Sequence, residues 1–344
     1  MTESVPKLED FDFDLPEGQI ARYPAAQRDE SRLLVIDRQT GALQHRVFRD
    51  LPALLRPGDV LVLNRTKVRQ ARVRGKRATG GGVELLFLEE HAPGIWKVRA
   101  KPTTKLKPGE PLILPQATVS VGERLGEHLL VKLTPDTGLT ADEWFSRVGE
   151  MPIPPYFKRK AEPMDRERYQ TVYAGQARSV AAPTAGLHFT PELLDRIRRE
   201  NVVIRFLDLA VGWGTFQPVR NEVLEQGVLE SETYEIPAET ARAIVQARSE
   251  NRRVIAVGTT TTRALESAWR VTPPALTGST RLFIHEPYTF RCIDGLITNF
   301  HLPQSSLLML VAAFAGRENI LKAYREAVGM GYRFYSYGDA CFIA

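Results

Sequence analysis

The chain has 344 residues, enough for two domains or for one large domain carrying an insertion. Hydrophobic residues at 43% and charged residues at 25% fit a folded protein and exclude a disordered one, the first ten residues aside. The net charge of +5 is only mildly basic, so a wholesale polyanion coat is excluded and the distribution of charge matters more than its sum.

The opening segment lacks the basic and apolar regions of a signal peptide. Leu33–Asp37 reads as a short strand followed by a turn at Arg38–Gly41, and Val60–Asn64 as a buried apolar strand after the turn signal Pro57-Gly58-Asp59. Then comes a one-signed run, Arg65, Lys67, Arg69, Arg72, Arg74, Lys76 and Arg77, with no acid among them. Two readings compete evenly: a surface for a polyanion, or an ordinary strand whose cations deter edge aggregation.

From Ala71 to about Lys132 short strand-like pieces recur: Val83–Glu89, Ile95–Ala100, Pro111–Ile113, Thr118–Val121 and His128–Leu133. Glycine- and proline-rich breaks separate them, which predicts a small β-barrel or sandwich. A helix over Ala141–Val148 precedes the stiff segment Met151–Tyr156, read as the return to the first domain. The remainder alternates helix and strand. Thr190 caps a helix with Pro191 at its first position, Val202–Leu209 and Arg253–Val257 are strands, and Ala238–Ser249 and a stretch from about Thr262 are helices. Such βα units predict a largely parallel sheet. The expected fold is therefore a discontinuous α/β domain, residues 1–70 and 151–344, with an inserted β-barrel domain at 71–150.

Four segments carry candidate chemistry. Val254–Arg263 ends an apolar strand at Gly258 and opens a helix with four threonines and Arg263, a geometry suited to an anion; an ordinary threonine cap is the plainer alternative. Val211–Pro218 places Gly212 and Gly214 around Trp213, where backbone approaches a flat ligand or simply makes a tight turn. Ala181–Phe189 and Thr298–Ser305 put His188 and His301 at strand-to-helix turns, the place where α/β sites form. The histidines match no metal-ligand spacing, Cys292 and Cys341 no metal or redox spacing, and no Walker loop, GxGxxG or GxSxG occurs. The longest apolar stretch, Leu307–Ala315, is too short to cross a bilayer, so a cytoplasmic protein without a membrane span or a metal is expected.

Taken in order, these motifs closely resemble the S-adenosylmethionine:tRNA ribosyltransferase-isomerase family of queuosine biosynthesis. The resemblance runs from Phe11–Pro16 to Tyr332–Ala340, through Asn64–Val68, Gly81–Glu84, Met151–Tyr156, Tyr169–Tyr173, Ala181–Phe189, Gly212–Pro218, Val257–Ser267 and Thr298–Phe314. It implies an α/β domain with an inserted barrel, and transfer and isomerisation of the ribosyl part of S-adenosylmethionine onto 7-aminomethyl-7-deazaguanine at the tRNA wobble position. Epoxyqueuosine-tRNA forms while adenine and methionine leave. No resident cofactor is implied, since S-adenosylmethionine is consumed, and a monomer is expected.

Carried onto matching positions, the resemblance nominates His188, Asp339, Glu232 and His301 as catalytic, with His188 first as acid or base. Thr184, Gly186, Gly214, Thr215, Thr259, Thr260, Arg263, Glu266 and Asn299 become substrate-binding residues. Arg65, Lys67, Arg69, Arg72, Arg74 and Tyr156 become tRNA contacts, phosphates meeting the cations and a splayed base the aromatic ring. Tyr169, Tyr173 and Trp213 are further stacking candidates, with core packing as their default. The chain departs from the family pattern at Ala210 and at Glu230, where relatives carry histidine. An RNA methyltransferase, which would release S-adenosylhomocysteine, and a non-catalytic tRNA-binding protein are the competing classes.

Overall fold

The computed structural model describes residues 7–102, 106–136, 138–216 and 221–344. A central sheet of nine strands runs edge to edge as Thr277–Leu282, Val228–Glu235, Val203–Leu209, Val60–Asn64, Val254–Val257, Gly295–Asn299, Ala340–Ile343, Arg32–Ile36 and Leu43–Val47. The run from Val203–Leu209 to Gly295–Asn299 is parallel, and antiparallel pairs flank it on both sides. The sheet thus takes strands from both sides of the inserted β region in sequence.

The middle strands are apolar until their closing residues because both faces are covered. Side chains alternate across a strand, so one strand feeds two cores. Val60, Val62, Val254, Ala256 and Leu296 pack on one face with helices Ala238–Ser249, Thr259–Ala268, Ser306–Ala315 and Arg317–Gly329. Leu61, Leu63, Ile255, Val257 and Ile297 pack on the other with Pro191–Arg199 and the turn Phe48–Leu54. Thr190 accepts from the Leu193 N–H, the expected cap.

Arg72–Arg77, Gly82–Ala92, Ile95–Lys101, Pro111–Leu114, Ala117–Leu125 and His128–Pro135 close into an antiparallel barrel, which removes free strand edges. A Cβ on Gly75 would lie 2.4 Å from the Ile113 carbonyl oxygen, so only glycine lets these strands pair. Helix Ala141–Val148 adds Trp144 and Phe145 to a barrel core that already holds Phe87 and Trp96.

Two expectations change here. The helix after Val257 begins at Thr259, because Gly258 at φ 92° turns the chain straight from strand to helix; a run of β-branched threonines disguises that start. The opening residues are not all irregular: Leu8–Phe11 forms a 3-10 turn and Phe11 is fully buried. No helix among the described residues is long and apolar enough to cross a membrane.

Candidate active site

The parallel strands all end on one side, and there the backbone opens into a cavity of about 570 Å³. That volume suits a nucleoside-sized ligand. Pro183-Thr184-Ala185, Gly258-Thr259-Thr260, Thr298–Leu307, Tyr156 and Tyr335-Ser336 line it, with Leu8 at one side. Segments more than a hundred residues apart in sequence therefore share one wall.

Gly258 lets the chain enter its helix with the first-turn N–H groups unpaired within the helix. Thr261 and Thr262 return their hydroxyls to the carbonyls of Val257 and Gly258, whereas Thr259 and Thr260 line the cavity. Two of the four threonines thus serve the helix, and two the wall. No group of three His, Cys, Asp or Glu side chains able to hold a metal occurs among the described residues.

The two histidines differ. His301 lines the cavity, and its Nε2 lies 2.9 Å from the Thr298 hydroxyl. Burial pushes its imidazole down to about 3, so the ring is neutral at physiological pH. His188 lies behind the wall, stacked on Phe48. Its partners determine its tautomer. The Asn299 amide nitrogen donates to the Tyr335 carbonyl at 3.0 Å, which can only accept, and so presents its second hydrogen to His188 Nε2 at 3.1 Å. His188 Nε2 is therefore the acceptor, and Nδ1–H donates to the Ser31 hydroxyl at 2.9 Å. Burial and the nearby Arg333 and Arg28 charges hold His188 at about 3. His188 thus has both nitrogens engaged and no face on the cavity, and its Nε2 fixes the Asn299 amide.

Four other nominated side chains, Arg263, Glu232, Glu266 and Asp339, do not line the cavity. Arg263 pairs in the interior with Glu232, donates to the Leu282 carbonyl and leaves Nη2 unpartnered; Glu232 also accepts from the Gly212 N–H. Arg263 is thus charge-paired within the protein, with only Nη2 left without a partner among the described residues. Glu266, fully buried, accepts from the N–H groups of Arg291, Cys292 and Ile293 and holds that loop. Asp339 accepts from the N–H groups of Arg32 and Arg333, tying the last strand's approach to the first strand.

Gly186 is a packing glycine: a Cβ there would sit 2.1 Å from the Tyr173 hydroxyl. Gly214 similarly faces the Glu230 carboxylate, 2.6 Å from a notional Cβ, and does not line the cavity. The side chain of Thr215 and residues 217–220, including the end of the Val211–Pro218 motif, lie outside the described residues.

The basic run is largely ion-paired. Arg65 pairs with Asp208, Arg69 with Asp142, Arg72 and Arg74 with Glu84, Arg74 again with Glu150, and Arg77 with Glu110. Acids remote in sequence compensate it, and Arg69 further packs over Trp96 and Phe145. Lys67 and Lys76 remain exposed without an acidic partner among the described residues. Tyr169 is fully buried in the core, its default reading.

Sequence reasoning did not single out Tyr335, Ser336 or Gln304. Their signal is conformational: Tyr335 at φ 72° and Gln304 at φ 56° are non-glycine residues in the left-handed region, both at the cavity.

The family model described as "Queuosine biosynthesis protein" matches residues 8–343. The chain is 51% identical to the S-adenosylmethionine:tRNA ribosyltransferase-isomerase of Thermus thermophilus, covering 98% of this chain and 99% of that one. It is 47% identical to the protein of that name from Desulfitobacterium hafniense, at the same coverage. The crystal structure of S-adenosylmethionine tRNA ribosyltransferase from Thermotoga maritima is similar with a TM-score of 0.58 and 36% identity, over 97% of this chain and 100% of that one.

Proposed function

The chain belongs to the S-adenosylmethionine:tRNA ribosyltransferase-isomerase family, and from that premise we propose that the cavity beside Gly258 is where S-adenosylmethionine meets the modified tRNA base. The reaction joins the ribosyl part of S-adenosylmethionine to the aminomethyl group of 7-aminomethyl-7-deazaguanine at the wobble position. It yields epoxyqueuosine-tRNA and releases adenine and methionine. The observation carrying this placement is the convergence of Thr184, Thr259, Thr260, Asn299 and His301 on one nucleoside-sized cavity.

The sulfonium acidifies the neighbouring C5′–H, and a base must take that proton. His301 is the base in this reading: it lines the cavity and is neutral at working pH. An imidazole held near 3 is a weak base, so a carboxylate brought in with the ligand must raise it. The methionine carboxylate can do so while accepting from the N–H groups of Thr259 and Thr260 at the helix start. Asn299 and Thr184 contact the bound nucleoside. No resident cofactor takes part, S-adenosylmethionine being consumed.

For tRNA, Lys67 and Tyr156 are the contacts; of the compensated arginines, Arg69 reaches from a sheet domain of 1–70 with 151–344 to Asp142 of a barrel domain at 71–150, while Arg65, Arg72 and Arg74 find their acids within their own domain. The protein works as a cytoplasmic monomer. Incubation with S-adenosylmethionine and tRNA carrying the deazaguanine precursor, followed by nucleoside mass analysis, tests the assignment. Unchanged tRNA from folded protein, or S-adenosylhomocysteine in place of adenine and methionine, rejects it.

A further inference from the structure

The cavity wall contains an aromatic pair whose construction the reaction alone does not explain. The rings of Tyr156 and Tyr335 lie 4.0 Å apart at 31°, and both line the cavity. The Tyr156 hydroxyl is held by the Ser336 hydroxyl at 2.6 Å. The Tyr335 hydroxyl has no partner among the described residues, so its ring, not its phenol, is the built feature.

Tyr335 reaches this place only by adopting φ 72°, a conformation that a bulky side chain disfavours. Its backbone is tied at every available group. Its N–H donates to the Phe300 carbonyl at 3.0 Å, and its carbonyl accepts from Gly338 N–H at 2.9 Å. The same carbonyl accepts from the Asn299 amide at 3.0 Å. Asn299 is in turn oriented by His188, and His188 by Ser31. A chain of hydrogen bonds from the first strand's edge thus ends on one strained tyrosine facing the cavity. Sustained strain of this kind requires the surroundings to over-determine it.

We propose that Tyr335, backed by Tyr156 and held by the Ser31–His188–Asn299 chain, is the platform on which a flat purine-type heterocycle stacks. His188 and Asn299 are positioning residues for that ring. Two sources supply such a heterocycle, the adenine of S-adenosylmethionine and the deazaguanine of the tRNA, and stacking is tolerant of which base it takes. The inference rests on the reading of the cavity as the reaction site.

Calorimetric titration of the full chain tests it with three probes: S-adenosylmethionine, tRNA carrying the deazaguanine precursor, and 5′-methylthioadenosine, which keeps adenine but lacks the sulfonium. Tyr335→Phe binds all three within about twofold of wild type. Tyr335→Leu weakens its ligand roughly ten- to a hundredfold, the scale of one lost base stack. Loss confined to methylthioadenosine and S-adenosylmethionine assigns the ring to adenine; loss confined to tRNA assigns it to deazaguanine.

Tyr335→Gly relieves the left-handed backbone but removes the ring from Tyr156, so it binds as weakly as the leucine variant. His188→Ala raises KM for the same ligand with kcat within about threefold, and His188→Gln, whose amide oxygen can accept from Asn299, restores it. Wild-type affinity of Tyr335→Leu for all three probes overturns the platform. A loss of kcat at unchanged KM in His188→Ala overturns the positioning role. Adenine release by the wild-type protein is measured alongside, so failure of the functional reading is distinguished from failure of this inference.

Discussion

The turns Ala181–Phe189 and Thr298–Ser305 look alike as sequence, each bringing a histidine between strand and helix, yet the fold places the two rings differently. Both imidazoles are held near 3 by burial. His301 stands on the cavity with one nitrogen on Thr298, whereas His188 sits behind the wall with both nitrogens engaged. A depressed pKa therefore does not identify a catalyst. What separates the two rings is the cavity face and the hydrogen-bond partners, which only the folded arrangement gives.

The largest effect expected is on His301. His301→Ala should lower kcat by about 10²- to 10⁴-fold, the usual worth of a general base, with KM little changed in single-turnover assays. His188→Ala should do the reverse, raising KM about tenfold or more. It leaves the second Asn299 amide hydrogen and one side of the Ser31 hydroxyl unpaired in the interior, a loss of about 1–3 kcal/mol in urea unfolding. Equal kcat losses in the two variants would erase the distinction between the turns.

Titration sharpens it further. Both folded-state values lie below the unfolded 6.5, so between about 6.5 and 3 the unfolded chain binds protons that the native one does not. Stability should fall as pH drops through that window, by about 1.4 kcal/mol per unit for each histidine. Unfolding curves of wild type and His188→Gln, compared from about pH 7 to 4, measure one share. Addition of S-adenosylmethionine should raise the His301 imidazole alone, read from ring-proton shifts in NMR. Since the base must be neutral, kcat falls as pH drops through the raised value.

The paired arginines of the barrel provide the baseline. Arg74→Ala should change tRNA affinity by less than about threefold, because its charge is already met by Glu84 and Glu150. Lys67→Ala should weaken binding slightly more and reduce the salt dependence by about one counterion.

Much of the architecture was legible before folding. The continuous apolar run Val60–Asn64 and the short alternating strands after Ala71 mark buried sheet and barrel through local pattern alone. The cavity was half legible, because the glycine and threonines closing the Val254–Val257 strand mark a strand-to-helix turn, although the threonines hid where the helix begins. What stayed hidden are pairings across long separations. Nothing near Arg74 announces Glu150, and nothing near Arg263 announces Glu232. The strain at Tyr335 was equally silent, since its left-handed backbone is held by Phe300 and Asn299, which are remote in sequence, together with the local turn to Gly338.

The place of Val60–Asn64 bears on how the protein is made. Its two sheet neighbours, Val203–Leu209 and Val254–Val257, are synthesised long after it, while every barrel strand pairs within residues 72–135. On the ribosome the barrel can close while the strand that precedes it still waits, apolar and unpaired, for more than a hundred residues. Nascent chains halted near residue 200 should therefore resist protease over the barrel and engage a chaperone through Val60–Leu63.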